Sequence, residues 1–463
     1  MLYSPTNASS LRGTGDADAE RRLDLARYVD PKDVVLKSPL NTPAFNETPV
    51  QELPWVFPLT RIQIPRPMNI LAFGGSVTWG ATLENRYDAY PWLIGTPYVD
   101  HVDNMAMRAT GADYPSLCLE SIIPDAANKN YDVILFDFVM NGTDGFPLLL
   151  KRLRERYPEA IIIYVHIWSL VNLAIDPATG ENPRQANYDP NRNWQWTSED
   201  TFNGHGDANC GREICSSEEM EKLVTDAGGY IWKMGLPETP KRAIEAGWFS
   251  DDWHHLSAKG HRMITQHMLN LLSTVKHQVF KDKPVGSFGV GDQCYNWFQD
   301  GKIEVQYTNA HPNDLLATKN VNLGDPDFKK VTLEFDPAQG GTITFNSKFG
   351  IPVPIGLAYM SIQEPADYQV VDVTVGTGQP VRVDPSINRS YMKAAHITVF
   401  SQVGYAHPGE NTLRITPVDQ RKNPFRVIGI YLCGHCAATG DMGTGAVNTL
   451  QGKTTLSDVE EKQ

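Results

Sequence analysis

The chain lacks any apolar run near the roughly 20 residues that span a bilayer. Its longest apolar stretch, Ala160 to Trp168, has the length of a buried strand. It also lacks a basic surface. Lys and Arg number 41 against 54 Asp and Glu, a formal charge of -13, and no stripe of clustered cations interrupts the acidity. Phosphate-binding surfaces need such clusters, so nucleic acid is excluded as a partner. From Met1 through Arg22 there is no apolar segment of the kind a secretory leader carries. The protein is therefore expected to be intracellular, or to have its targeting segment outside this chain. Sequons at Asn7, Asn46 and Asn388 tilt that expectation toward the secretory pathway. Cysteine is scarce, six in 463 residues. Cys210 and Cys215 bracket a polar turn and predict a local disulfide. Cys433 and Cys436 read either as a structural disulfide or as a redox or metal pair. A structural zinc site would want a second pair nearby. No internal repeat is visible, and neither a metal nor a cofactor is expected.

What is present falls into four stretches. Residues 1–65 are polar and proline-punctuated, with one helical pattern near Ala19 to Tyr28, and predict an extended arm. Residues 66–280 alternate strand and helix. Ile70 to Phe73, Val133 to Phe136 and Ile161 to Trp168 are continuous apolar runs, which marks strands covered on both faces. Phe146 to Tyr157 is amphipathic, and a last helix runs from Ala258 to about Leu272. The fold class predicted is α/β, a parallel sheet flanked by helices in a flavodoxin-like three-layer arrangement. Between Val171 and Glu218 lies a long polar insertion holding Trp194 and Trp196, predicted to be ordered over the sheet's rim. Residues 281–438 turn to period-two patterning, as in Val371 to Val375, His396 to Phe400 and Thr412 to Thr416. Gln339-Gly340-Gly341 between two such runs signals a hairpin. An all-β sandwich of jelly-roll type follows. Residues 439–463 are small and polar and predict a disordered tail.

Two places carry chemistry. Gly74-Gly75-Ser76-Val77-Thr78 follows the first strand, and Asp251-Asp252-Trp253-His254-His255 stands near the end of the α/β region. A serine hydroxyl is a weak nucleophile until an imidazole takes its proton, and a carboxylate fixes that imidazole's tautomer. An isolated Gly-Gly-Ser is a common turn; a strand before it and Asp-x-x-His after it point to hydrolysis. The Gly-x-Ser-x-Gly elbow of α/β-hydrolases is not met, because position 78 is Thr. Two registers compete for acid and base, Asp251 with His254 and Asp252 with His255.

These blocks resemble the SGNH, or GDSL-type, hydrolases over residues 65 to 275. Gly75-Ser76 matches the nucleophile block, with Gly in place of the usual Asp. His255-Leu256-Ser257-Ala258-Lys259-Gly260 meets the family's His-x-Ser/Asn-x-x-Gly pattern, which His254 does not. The resemblance therefore implies Ser76 as nucleophile, His255 as base and Asp252 as its orienting acid. It further implies an oxyanion hole from a glycine N–H, best matched by Gly111, and an asparagine amide, best matched by Asn141. Asn141 also begins a sequon. Trp79, Trp194 and Trp196 are candidate substrate-lining aromatics, each with a packing or anchoring role as the alternative. His166, at a strand end, is a candidate for the rim.

The C-terminal sandwich is similar in architecture to carbohydrate-binding modules, an analogy without a matched binding motif. The expected activity is hydrolysis of short acyl esters on a small molecule or polysaccharide. Kept beside it are a lipid or small-ester hydrolase of the same fold, an acyltransferase, and a non-catalytic glycan-binding protein.

Overall fold

The computed structural model describes residues 68–123, 129–143, 145–183, 186, 189, 191–197, 214, 216–279, 293–296, 315–319, 321–323, 332–361, 368–385, 397–419, 421, 423–434 and 436. The expected N-terminal arm with its helix, the Cys210 and Cys215 pair, the sequons at Asn7, Asn46 and Asn388, and the C-terminal tail lie outside the described residues.

The first body is a parallel sheet between two helical layers. Its elements are β1 (Met68–Gly74), α1 (Ser76–Trp79), α2 (Tyr90–Tyr98), β2 (Val99–Asn104), α3 (Asp113–Ile122), β3 (Val133–Asp137) and α4 (Phe146–Arg156). They continue through β4 (Ile161–His166), α5 (Leu170–Leu173), β5 (Ala174–Ile175), β6 (Gln195–Trp196), α6 (Ser217–Asp226), β7 (Tyr230–Lys233), α7 (Pro240–Glu245) and α8 (Ala258–Val279). Strand order is β2-β1-β3-β4-β7, every pair parallel.

The continuous apolar runs are explained by the two covered faces. Leu71, Phe73, Ile134, Phe136, Ile162 and Tyr164 pack toward α3, α4 and α6. Ile70, Ala72, Val133, Leu135, Ile161 and Ile163 face the other way, toward α2 and α8. At about 25 cal/mol per Å² of apolar surface, this two-sided burial is the main stabilising contribution to the layer stack. The strands' C-terminal ends, where loops to the next helices leave the sheet, form the crevice typical of ligand sites in open α/β sheets.

The second body is a two-sheet antiparallel sandwich. One sheet runs β10 (Val321–Leu323), β11 (Leu333–Phe335), β18 (Arg426–Leu432), β13 (Val353–Ser361), β16 (Ile397–Ala406), with β8 (Gln293–Asn296) also on β18. The other runs β15 (Val381–Val383), β14 (Val371–Val375), β17 (Gly409–Pro417), β12 (Gly341–Ser347), β9 (Leu315–Lys319). The hairpin expected at Gln339-Gly340-Gly341 is corrected here: β11 and β12 belong to opposite sheets. Phe335 and Phe345 each point into the shared core, so the turn crosses the sandwich instead of pairing its flanks.

The two bodies share apolar core. Phe400, Ile428 and Tyr431 of the sandwich join the layer containing Tyr114 and Leu117 of α3. A disulfide links Cys118 on α3 to Cys294 on β8, a pairing across 176 residues. Cys433 and Cys436 form a second, buried disulfide after β18. Among the described residues no helix is long and apolar enough to cross a membrane.

Candidate active site

β1 ends at Gly74, and Gly75 caps the single helical turn of α1 that starts with Ser76. This turn is tied down from below. Gly75 N–H donates to the Asp137 carbonyl (3.2 Å), and the Thr78 hydroxyl donates to Asp137 Oδ2 (3.1 Å). Thr78 Oγ1 also lies 2.9 Å from the Tyr90 hydroxyl. Asp137 closes β3, so the strand next to β1 supplies the floor beneath the serine. Burial raises the Asp137 carboxyl to about 7, although the Thr78 hydroxyl bond works in the opposite direction. Tyr90 passes the network on, its N–H donating to Nδ1 of buried His261 on α8 (3.2 Å). Burial, assisted by the nearby His255, holds His261 down to about 3, so it stays neutral.

The loop before α8 brings His255 and Asp252 to Ser76. His255 Nε2 stands 2.8 Å from Ser76 Oγ, and His255 Nδ1 stands 2.5 Å from Asp252 Oδ2. Asp252 Oδ1 accepts the N–H groups of His254 (3.0 Å) and His255 (2.8 Å) and the Ser250 hydroxyl (2.8 Å). Burial disfavours the Asp252 anion, yet the His255 side chain and these two backbone N–H groups outweigh it. Its carboxyl is held far below the usual carboxylate range. An ionised Asp252 selects the tautomer with Nδ1 protonated, which leaves Nε2 free to accept the Ser76 proton. His254 turns elsewhere: its Nδ1 lies 3.3 Å from Ser169 Oγ, and its ring sits edge-on to His255. Between the registers, only the one with Asp252 and His255 is joined to Ser76. Trp253 sits between them at φ 58, a left-handed conformation costly for a bulky residue. Its N–H donates to Ser250 O and its carbonyl accepts from Val171, which hold the kink.

The spacing after His255 has a local reason. Ser257 Oγ accepts the Gly260 N–H at the start of α8. A Cβ at position 260 would come 2.2 Å from the Trp248 carbonyl, so only glycine lets the helix approach.

Asn141 follows β3 in a turn closed by its own N–H and that of Gly142 on Phe138 O (3.1 and 3.0 Å). Its side chain lies directly over the Gly75 backbone, beside Ser76. Gly111 is docked against this turn: Ala112 N–H donates to Gly142 O (3.1 Å), and a Cβ at 111 would come 3.0 Å from the same oxygen. Two neighbours in the loop between β2 and α3 escaped the sequence reading. Ala109 has φ 47, and Arg108 extends a half-buried guanidinium over Trp79. A lone Ala or Arg in a loop carries no sequence signal, and β2 itself was not read as a strand.

The candidate aromatics separate. Trp79 is buried, packs on Ala81 and Ala106, and carries Arg86 at 4.7 Å and Arg108 at 5.6 Å from its ring. Trp194 is buried with its indole N–H on Asp189 O (3.0 Å). Trp196 donates to Pro237 O (2.9 Å) and meets Trp168 edge-on. Both therefore anchor their own loop and its neighbours. His166 is buried at the end of β4. Among the described residues, no cluster of His, Cys, Asp or Glu is gathered as a metal site.

Ser76 follows the first strand of a parallel sheet, Asp252 and His255 precede the last helix of that body, and a β-sandwich comes after it. The fold is an α/β body with a C-terminal β-sandwich. No family model matches the chain, and no curated protein matches it by sequence. Among solved structures, it is similar to a two-domain esterase active on acetylated mannans, at 14% identity and TM-score 0.42. That similarity covers 79% of this chain and 91% of the other. A G-D-S-L family lipolytic protein from Desulfitobacterium hafniense DCB-2 is similar at 12% identity and TM-score 0.28, over 44% of this chain and 99% of the other. A family 35 carbohydrate binding module from Clostridium thermocellum is similar at 15% identity and TM-score 0.21, over 31% of this chain and 97% of the other.

Proposed function

We propose that the chain is a serine esterase that removes short, acetyl-type acyl groups from a carbohydrate. The observation that supports this reading is the continuous line Ser76 Oγ, His255 Nε2, His255 Nδ1, Asp252 Oδ2, at 2.8 and 2.5 Å. In this reading Ser76 Oγ attacks the ester carbonyl carbon as His255 takes its proton, and the same proton is returned to the leaving sugar oxygen. A water then repeats the step on the acyl-serine, releasing the carboxylic acid and restoring Ser76. Asn141 Nδ2, with the N–H groups of Ser76 and Gly111, would hold the oxyanion. One such donor contributes about 3 kcal/mol of transition-state stabilisation. The short acyl preference rests on the polar sequence of the insertion between Val171 and Glu218, where a long acyl chain would want apolar residues.

The test is acetate release from a panel of acetylated polysaccharides, acetylated mannan and xylan among them, with a chain-length series of p-nitrophenyl esters alongside. Ser76→Ala and His255→Ala are expected to lose on the order of 10⁴-fold or more in kcat, while His254→Ala is only impaired. Full activity of Ser76→Ala would remove the nucleophile, and a series peaking at eight carbons or more would remove the acyl preference.

A further inference from the structure

Trp79 is flanked by two guanidinium groups whose situations differ. Arg86 donates its Nε–H to the Trp79 carbonyl (3.3 Å). Arg108 rests over the indole at 5.6 Å, and no carboxylate or hydrogen-bond acceptor among the described residues engages its side chain. It is half-buried, and burial weakens its hold on the proton, with Asp252 the one carboxylate whose field opposes that loss. Ser76 and Trp79 are one turn apart on α1 and so share a face. Met107 N–H is bonded to Gly74 O, two residues before Ser76, and Gly111 docks on the Asn141 turn, so Arg108, between these two points and lying on Trp79, stands on the Ser76 side of the sheet.

The backbone carrying it is fixed. Met105 and Met107 donate to the carbonyls of Ala72 and Gly74 (2.8 and 2.9 Å), and Ala109 O accepts the Thr398 N–H from the sandwich (3.1 Å). A guanidinium partly withdrawn from water, held in place and left without an anion is costly unless a ligand supplies one. In the esterase reading the oxyanion is already met by Asn141 Nδ2 and the N–H groups of Ser76 and Gly111, so the anion for Arg108 is sought in a second group on the substrate. A planar fork of N–H donors matches a carboxylate in two-point fashion, which an ammonium would not.

We infer that Arg108 is a carboxylate-recognition residue, and that the substrate carries an acidic group close to its esterified oxygen. This rests on the esterase reading above. The carboxylate belongs either to the sugar, as in an acetylated uronic acid, or to the acyl group, as in a hemisuccinate.

Two substrate pairs distinguish the sources. One is an O-acetylated methyl glucuronoside and its methyl ester; the other is p-nitrophenyl hemisuccinate and its methyl ester. In the wild-type protein, one pair is expected to show the acid preferred in kcat/KM by about tenfold or more, the worth of one charge-assisted contact. In Arg108→Gln that ratio is expected to fall by about the same factor, and Arg108→Lys to keep part of it. Raising salt should erode the preference in the wild type. A wild-type ratio at or below unity in both pairs overturns the inference, as does an Arg108→Gln ratio equal to the wild-type one. If Arg108→Gln fails to fold, the wild-type and Arg108→Lys ratios still decide. Failure of wild type on every ester, p-nitrophenyl acetate included, would sink the esterase reading itself; turnover without acid preference sinks only this inference.

Discussion

Asn141 occupies the space that any side chain at position 75 would need. A Cβ built on Gly75 comes 1.6 Å from Asn141 Oδ1 and 2.3 Å from its Cγ. Glycine at 75 is thus matched to the place of the amide next to Ser76.

Gly75→Ala is therefore expected to push the Asn141 amide out of reach of an oxyanion on a Ser76-bound substrate. The obstructing atoms belong to a side chain that can rotate, so stability should change little while kcat falls about a hundredfold, the loss typical of one missing donor. Asn141→Ala should fall as far, and the double variant hardly further, since both remove the same group. Steady-state kinetics on p-nitrophenyl acetate, with circular dichroism as the folding control, checks this. Independent, multiplying losses would show that position 75 acts otherwise than through Asn141.

Legibility in the sequence followed burial. The three central strands β1, β3 and β4 are covered on both faces and stand out as apolar runs. The two edges do not. β2 reads Val-Asp-His-Val-Asp-Asn, and β7 has only four residues. Missing β2 hid the start of the loop carrying Arg108 and Ala109. Gly340 shows the same limit in the sandwich. Its φ of 67 and tight turn are genuine, but which sheet each flank joins is decided by partners far along the chain. The Cys118–Cys294 link had no local signal either, because a pairing across 176 residues is set by the docking of the two bodies. By contrast Ser76, Asp252 and His255, which the structure brings within hydrogen-bond distance, each sit in a short block whose spacing is itself constrained, by the cap at Gly75 and the approach at Gly260.

The buried chain Asp137–Thr78–Tyr90–His261 should leave a mark on stability against pH. The Asp137 carboxyl, raised to about 7, keeps its proton in the folded state while an unfolded Asp loses it near 4. Its contribution is complete below about pH 4 and is lost as pH rises toward 7. His261, lowered to about 3, stays neutral when folded while an unfolded His takes a proton below about 6.5. Its contribution is present above that value and is lost as pH falls toward 3. The two slopes oppose one another over the weakly acidic range. Asp137→Asn removes only the first, so its stability relative to wild type should grow by about 1.4 kcal/mol per pH unit between about 4 and 7. Urea unfolding at several pH values measures this; parallel curves for the two proteins would refute it.

Thr398 of the sandwich supports the loop between β2 and α3 at two points. Its N–H donates to Ala109 O (3.1 Å), and its hydroxyl lies 2.7 Å from that of Thr110. The loop needs such support, because Ala109 is held at φ 47 and Phe73, Met105, Met107 and Tyr114 line a small cavity behind it. Left-handed Ala costs on the order of 1–2 kcal/mol, and a cavity offers no packing to offset that. Thr398→Val keeps the volume and the backbone bond but removes the hydroxyl. A loss of about 1 kcal/mol in stability is expected, with a several-fold drop in kcat on p-nitrophenyl acetate as the loop relaxes away from Asn141 and Gly142. Thr398→Ser should retain both properties, because it keeps the hydroxyl, and Ala109→Gly in the Thr398→Val background should recover stability without recovering kcat. Were Thr398→Val to lose stability with kcat untouched, the sandwich would be a packing partner of the hydrolase-like body and no part of what positions its catalytic loop.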